Sequence, residues 1–190
     1  MITTSTGTVN QNKVLRCKNT ANQLLNTIGD KYEGSGLKFA KDWYVKFFEA
    51  NGGTSSRKTT IQVAYDAVKN FESYSYACRC FRKTLNVKSI KDTYGEANVD
   101  TAIKNLSVGD LIGAGDEVYI VLYNDTNARI YPEGTNTEKY GIDKGHVVVA
   151  TVNGAGSQGD EATYDVVHLF SFTTEYVKKK SDLFWIYKCE

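Results

Sequence analysis

The first half of the chain carries apolar residues at three- and four-residue steps, which is the pattern of amphipathic helices. This spacing predicts a first helix from Asn12 to Ile28 and a second that begins near Leu37, with Ser35 as its N-cap. A third helical pattern runs from Thr60 to Phe71, and a weaker one from Asn98 to Leu106. The apolar stripe of the second helix consists of Ala40, Trp43, Tyr44, Phe47 and Phe48.

Beyond Gly109 the pattern changes to strands rich in β-branched and aromatic residues. The predicted strands are Glu117 to Tyr123, Val147 to Val152, Tyr164 to Phe172 and Leu183 to Tyr187. Clusters of Gly, Asn and Asp separate them, so hairpins and an antiparallel sheet are favoured over crossover helices. The segment from Tyr74 to Leu85 fits either a buried strand or a helix. Helices followed by strands predict an α+β fold.

Composition sets broad limits on function. With 190 residues, of which 41% are hydrophobic, the chain can bury one substantial core, which predicts a single domain over residues 1–190. Its 23 basic and 22 acidic residues leave a net charge of +1, so no overall field favours nucleic acid or an anionic membrane as a partner. The longest basic run, Lys178 to Lys180, is interpreted as a solvated turn.

Neither targeting signals nor cysteine spacing identifies a function. No window approaches 18 consecutive apolar residues, which argues against membrane insertion. The segment from Met1 to Gly7 lacks a basic region followed by an apolar core, so we expect cytoplasmic synthesis without a signal peptide. Cys78-Arg79-Cys80 fits neither a zinc ribbon nor a redox Cys-x-x-Cys, and no motif implies a metal or a cofactor. Reduced thiols are expected, with a bridge from Cys17 to Cys189 left open.

His146 lies just before a predicted strand, and His168 lies within the next one. The segments Ser107-Val108-Gly109-Asp110-Leu111-Ile112 and Gly145-His146-Val147-Val148-Val149-Ala150 place His146 at the mouth of an apolar strand. A rigid sheet holds an imidazole there in a position that suits a general base. His168 lies among apolar residues in the next strand, where a buried imidazole usually needs a hydrogen-bond partner.

A third segment completes a family resemblance. Tyr32-Glu33-Gly34-Ser35-Gly36-Leu37-Lys38-Phe39 is a Tyr- and Gly-containing approach to the second helix and leads to Ala40. With the Gly-Asp-Leu-Ile and Gly-His-Val segments, it resembles the NlpC-type cell-wall peptidases and their CHAP relatives, which are papain-like cysteine peptidases. The resemblance runs roughly from Asn22 to Phe172 and implies a papain-like α+β fold, with N-terminal helices packed on a C-terminal antiparallel sheet. The stretches from Arg57 to Asn105 and from Ile112 to Gly145 are longer than this family usually carries.

The resemblance implies roles for four positions. Ala40 would stand where the family carries its cysteine nucleophile, His146 would be the base, and His168 would hydrogen-bond the base and fix its tautomer. Tyr32 would help bind the oxyanion or the substrate. The residues leave three interpretations of Ala40: a cysteine replaced by design, the alanine of a natural pseudoenzyme, or a small core residue. His168 either orients the base or is a satisfied core histidine.

The cysteines that are present compete for the nucleophile position. Neither Cys78 nor Cys80 follows a Gly-rich approach or clearly opens a helix, and Cys17 lies within the first helical stripe. Position 40 is therefore preferred over all three.

The function that the resemblance implies is hydrolysis of an amide bond in peptidoglycan or muropeptides by a Cys-His-His thiol mechanism, without metal or cofactor, in a form inactivated at position 40. The alternative is a non-catalytic pseudoenzyme, or a phage or injection-system module, that binds cell-wall peptides. Acyl transfer instead of hydrolysis also stays open. Such a protein would reach the cell wall through phage lysis or a secretion machine, with an immunity or delivery protein as a partner.

Overall fold

The computed structural model describes residues 16–124, 146–152 and 166–189. Within the described residues, the first helix, α1, covers residues 16–25. The other helices are α2 (Gly36–Ala50), α3 (Arg57–Asp66), α4 (Tyr74–Leu85), α5 (Ile90–Tyr94), a 3₁₀ turn (Glu96–Asn98), α6 (Val99–Lys104) and α7 (Thr174–Lys179). The strands are β1 (Leu111–Ala114), β2 (Glu117–Asn124), β3 (His146–Val152), β4 (Val167–Thr173) and β5 (Phe184–Tyr187).

These strands form one antiparallel five-stranded sheet in the order β4-β3-β2-β1-β5. The predicted α+β class with an antiparallel sheet is confirmed. The last strand, β5, pairs with β1, so the C-terminal segment lies beside a strand from the middle of the chain. At the other edge, β3 and β4 pair in a continuous register from His146 opposite Thr173 to Val152 opposite Val167.

Helices pack on both faces of the sheet. The first core, on the face covered by α1 to α4, includes Ala21, Ala40, Tyr44, Phe47, Ile61, Phe81, Val148 and Ala150. The second core, on the face covered by α5 to α7, includes Ile90, Ile103, Val147, Val149, Val177 and Phe184. Successive β3 residues alternate between the two cores, as the two-residue period of a strand requires. Burial on both faces explains why β3 is a nearly continuous apolar run.

The predicted N-cap of the second helix is confirmed. The Ser35 hydroxyl accepts a hydrogen bond of 3.1 Å from the backbone N–H of Lys38 and caps α2, as predicted. Gly52, with a φ of 69°, follows the end of this helix. The ambiguous segment is helix α4, which Ser73 caps and which Asn86 ends in the left-handed conformation. In the part of the chain that the structure describes, no helix has the length and apolarity needed to cross a membrane.

The ends of α1 and α3 differ from the prediction. α1 ends at residue 25 instead of Ile28, because the segment after it pairs with the sheet. The Gly29 N–H donates to the Val167 carbonyl at 2.8 Å, and the Val167 N–H donates to the Asp30 carbonyl at 3.0 Å. These bonds cover part of the exposed edge of β4. α3 ends at Asp66 and continues only as turns toward Phe71.

Three short elements, β1, α5 and α7, have six residues or fewer and are not predicted by periodicity. β1 forms because β2 and β5 bond to both of its edges. Its Gly113 is required, since a Cβ there would lie 2.1 Å from the Trp185 indole. The solvated turn predicted for Lys178 to Lys180 holds only for Lys180, which is exposed and lies in a turn. Lys178 and Lys179 form the last turn of α7, where their charge interacts favourably with the helix dipole.

Several predictions fall outside the described residues. They are the first helical turn from Asn12, the start of the third predicted strand at Tyr164, and the turns at 125–127 and 153–157. The backbone of His146 is described as the first residue of β3, whereas its side chain lies outside what the structure describes.

Candidate functional site

Ala40 lies wholly inside the first core, with an exposed fraction of 0%. It is the fifth residue of α2, in the second turn of the helix. The free N–H groups that lower a thiol pKa belong to the first turn, which runs from Gly36 to Lys38. The resemblance places the nucleophile at the helix start, and position 40 lies one turn beyond it. This environment is that of a small core residue.

The two histidines lie at opposite ends of the β3–β4 pair. His146 is opposite Thr173 in the backbone register, and His168 is opposite Thr151. Positions 146 and 151 are five residue steps apart, which is about 16 Å along a strand. That separation exceeds the combined reach of two imidazole side chains. The hydrogen bond that would let His168 orient His146 is therefore incompatible with this register, and the role implied for His168 is corrected.

His168 has a local partner instead. Its Nδ1 atom lies 3.3 Å from the backbone oxygen of Val166, and the side chain is half-buried. Burial lowers the pKa of the His168 imidazole, while the backbone contact opposes that shift. Its neighbours Val167 and Leu169 pack with the first core, so strand alternation directs His168 to the other face of the sheet from Ala40. These contacts are those of a satisfied structural histidine.

Tyr32 is held by α2. Its hydroxyl donates to Oδ2 of Asp42 at 3.2 Å, and its ring packs edge-on against Phe39 with 5.1 Å between centroids. Burial, followed by the Asp42 carboxylate, raises the pKa of the Tyr32 hydroxyl. Asp42 also pairs with Lys41, at 2.5 Å. The Tyr32 proton is thus directed to a carboxylate of the same chain, and the oxyanion role stays a prediction.

The Gly-Asp pair that contributes to the resemblance has a structural explanation. Gly109 adopts a φ of 91°, a conformation that favours glycine. A Cβ at this position would lie 2.6 Å from the Cβ of Phe47 on α2. Glycine therefore lets the chain that enters β1 approach the helix closely.

Asp110 fastens the C-terminal segment to the sheet. Its buried carboxylate accepts hydrogen bonds from the backbone N–H groups of Ser107 and Cys189, both at 2.9 Å. It also pairs with Nζ of Lys188 at 2.6 Å. Burial raises the pKa of the Asp110 carboxyl, and the ammonium and the N–H groups oppose that shift. All its polar contacts are thus internal to the fold.

Cys78 and Cys189 are buried thiols with raised pKa values. All four cysteines are thiols, so the bridge from Cys17 to Cys189 is not formed, although both sulfurs contact the Asn51 side chain. Cys78 packs inside the first core, and burial raises the pKa of its thiol to about 12. Burial likewise raises the pKa of Cys189. A buried thiol with a raised pKa is a poor nucleophile.

A groove of about 450 Å³, which the sequence patterns did not predict, lies on the sheet face opposite α2. Its walls are the rings of Tyr119, Phe170, Phe172, Tyr176 and Phe184, with 5.2 to 6.5 Å between the centroids of contacting rings. Phe170 is 48% exposed and Tyr176 is 44% exposed. The available signal was the alternation of two phenylalanines in β4, next to a tyrosine in α7.

Glu117, the first residue of β2, lines the same groove. Burial raises the pKa of its half-buried carboxyl, and the nearby Asp116 adds to that shift. Asp116 pairs with Arg79 at 3.5 Å. Across residues 16–124, 146–152 and 166–189, no lysine or arginine forms an ion pair with Glu117. The groove thus combines aromatic ring faces with a carboxylate that lacks a cation among these residues.

Comparison with known proteins does not assign the chain to a family. No protein-family model matches the chain, and no curated protein or solved structure matches it. Among the described residues, no group of three or more His, Cys, Asp or Glu side chains could hold a metal ion. A functional assignment therefore has to be argued from the geometry of the chain's own residues.

Proposed function

We propose that this chain is a non-catalytic module of papain-like type that binds bacterial cell-wall peptides. The observation that carries the proposal is the burial of Ala40. A thiol nucleophile has to be accessible to substrate, and its thiolate form has to be stabilised. Position 40 has an exposed fraction of 0% and lies inside a close-packed core. An alanine suits that environment without any catalytic role.

The Cys78 thiol indicates how a cysteine would behave at position 40. Cys78 lies in the same core, and burial raises the pKa of its thiol to about 12. A sulfur introduced at position 40 would lose its hydration in the same way, so its thiolate would be scarce at neutral pH. The proposal therefore expects that restoring cysteine does not restore hydrolysis.

A second candidate is an amide hydrolase whose nucleophile has been replaced by alanine. One observation favours it: α2, which carries Ala40, packs against β2 and β3, and β3 begins at His146. A helix that carries the nucleophile and packs on the strand that carries the base is the arrangement that the papain-like resemblance implies. The same variant tests both candidates.

The experiment compares native protein with A40C and with A64C, a matched control in which a second wholly buried alanine of the first core receives the sulfur. Each protein is incubated with purified peptidoglycan, and both co-sedimentation and release of soluble fragments are measured. The proposal expects sedimentation of all three proteins and no fragments. Fragments released by A40C but not by A64C would replace the proposal with the hydrolase.

Native protein that stays in the supernatant would also overturn the proposal. That measurement does not depend on whether the cysteine variants fold. A denaturant titration of A40C and A64C shows whether either has lost its structure, and Ala40→Ser provides a second small polar side chain at the same position.

A further inference from the structure

The groove on the sheet face opposite α2 has the chemistry of a cation site. We infer that it binds a primary ammonium group at the end of an apolar stem, as in a lysine-type side chain. The aromatic rings would contact the stem, and the Glu117 carboxylate would receive the ammonium. The inference rests on the proposed function for the source of such a ligand, a cell-wall peptide with a free amine, and on the groove alone for its chemistry.

The charge in the groove is the first argument. The described part of the chain places no lysine or arginine in an ion pair with Glu117, whereas the adjacent Asp116 has Arg79 as a partner. Removing a carboxylate partly from water without a cationic partner raises the free energy of the protein, and a bound cation offsets that cost. A neutral or anionic ligand in the same groove would leave that cost in place.

The rings supply the second argument. Phe170 and Tyr176 both line the groove and are 48% and 44% exposed, so part of each ring is accessible to a ligand. The face of an aromatic ring attracts an ammonium within about 6 Å of the centroid. The chain already shows this preference, because Nζ of Lys180 lies 5.2 Å from the Tyr176 ring centroid. A ligand ammonium would gain from both the rings and the carboxylate.

The shape of the groove calls for an apolar stem as well as a charge. Ala114, Phe172 and Phe184 provide apolar walls next to Glu117, and the groove volume of about 450 Å³ exceeds what an ammonium group alone would fill. A lysine-type side chain buries its methylene groups against such walls while the charge stays at the tip. The walls and the carboxylate together therefore select one class of ligand.

The test titrates native protein with Nα-acetyl-lysine methylamide and follows backbone amide shifts of β4 and α7 by NMR. Nα-acetyl-norleucine methylamide has a similar stem without the ammonium, and tetramethylammonium has the charge without the stem. E117Q removes the charge at the groove, and E175Q is the matched control, because Glu175 is an exposed carboxylate of α7 that does not line it. F170A and F71A make the same comparison for two partly exposed phenylalanines, of which only Phe170 lines the groove.

We expect a dissociation constant of about 1–10 mM for so small a probe. The norleucine probe, and E117Q with the lysine probe, should each bind at least about tenfold more weakly, since a charge-assisted contact is lost. F170A should weaken binding, while E175Q and F71A should match the native protein. Affinity should also fall as the pH is lowered through the pKa of Glu117, which burial raises.

Equal binding of the lysine and norleucine probes, equal binding by E117Q and native protein, or no saturable shift would each overturn the inference. Tetramethylammonium that binds as tightly as the lysine probe would overturn the requirement for a stem. The peptidoglycan assay separates this failure from that of the proposed function. Sedimentation without lysine binding removes only the groove assignment, and lysine binding without sedimentation removes only the cell-wall assignment.

Discussion

The two faces of the sheet differ in what their polar and reactive groups can do. On the face covered by α1 to α4, Ala40 and Cys78 are buried in the first core, and the Asp110 carboxylate is saturated by partners from the same chain. On the other face, aromatic rings stay half-exposed around the Glu117 carboxylate.

This contrast shows that a resemblance in sequence does not by itself indicate an accessible site. We call the face covered by α1 to α4 the closed face. The motifs that resemble a peptidase lie on this closed face, where Gly109 and Asp110 have structural explanations. The groove that is open to a ligand contains none of those motifs. Reactivity needs access and an unsatisfied group, and short motifs report neither of these.

The largest expected difference between the faces is in packing. Phe47→Ala should destabilise the protein by about 4 kcal/mol, because Phe47 is wholly buried and lies against Gly109. Phe170→Ala should cost only about 1 kcal/mol, since this ring is already half-exposed. Urea titrations of both variants measure the two losses. Equal losses would mean that the face that carries the groove is packed as closely as the closed face.

A smaller effect is expected from the buried ion pair of the closed face. Asp110→Asn should destabilise the fold by about 3 kcal/mol, because Lys188 loses its charge partner. Asp182→Asn, at an exposed position without a described ion pair, is the control and should leave the unfolding midpoint unchanged. Chemical denaturation at pH 7 checks both variants. A midpoint for Asp110→Asn that equals the native value would show that the C-terminal segment is held by packing alone.

Thiol reactivity tests whether the closed face excludes reagents. Cys78 is buried and its thiol pKa is raised to about 12, whereas Cys80 is only half-buried. Alkylation with iodoacetamide at pH 8 should therefore label Cys80 at least about 100-fold faster than Cys78. Mass spectrometry of the peptides gives both rates. Comparable rates would contradict a closed first core around α4.

The smallest effect concerns the cost of the groove carboxylate. Burial raises the pKa of Glu117, so the folded state favours its protonated form. The stability that this group contributes is present below the unfolded-state pKa, near 4.3, and is lost as the pH rises through the folded-state pKa. Glu117→Gln should therefore stabilise the protein at pH 7, by less than about 1 kcal/mol, and make no difference at pH 3. Thermal unfolding at the two pH values measures this, and destabilisation at pH 7 would show a favourable partner for the carboxylate.

Local signals were sufficient for many elements. The stripe of α2 and the Ser35 cap predicted its start, and the β-branched runs predicted β2, β3 and β5 closely. These elements carry their own periodicity or caps. The four residues of β1 carry too few positions for a period, and β1 forms only because strands on both sides bond to it.

The candidate sites were predictable to different degrees. The assignment of His146 to the mouth of a strand is confirmed for its backbone, and its role as a base stays a prediction. The predicted hydrogen bond between His146 and His168 is incompatible with the observed register, which puts the two residues at opposite ends of the β3–β4 pair. The order of strands along the chain does not determine how two strands are aligned. The groove could not be found from sequence, since its rings come from β2, β4, β5 and α7.

The order of residues was therefore enough to decide the class of the fold and its main helices and strands. Periodicity and capping act over a few residues, so they can be read from a single chain. The tertiary structure alone decided which residues meet, which are sealed in a core, and which face of the sheet stays accessible. Those outcomes depend on register and on packing between segments that are distant in the chain.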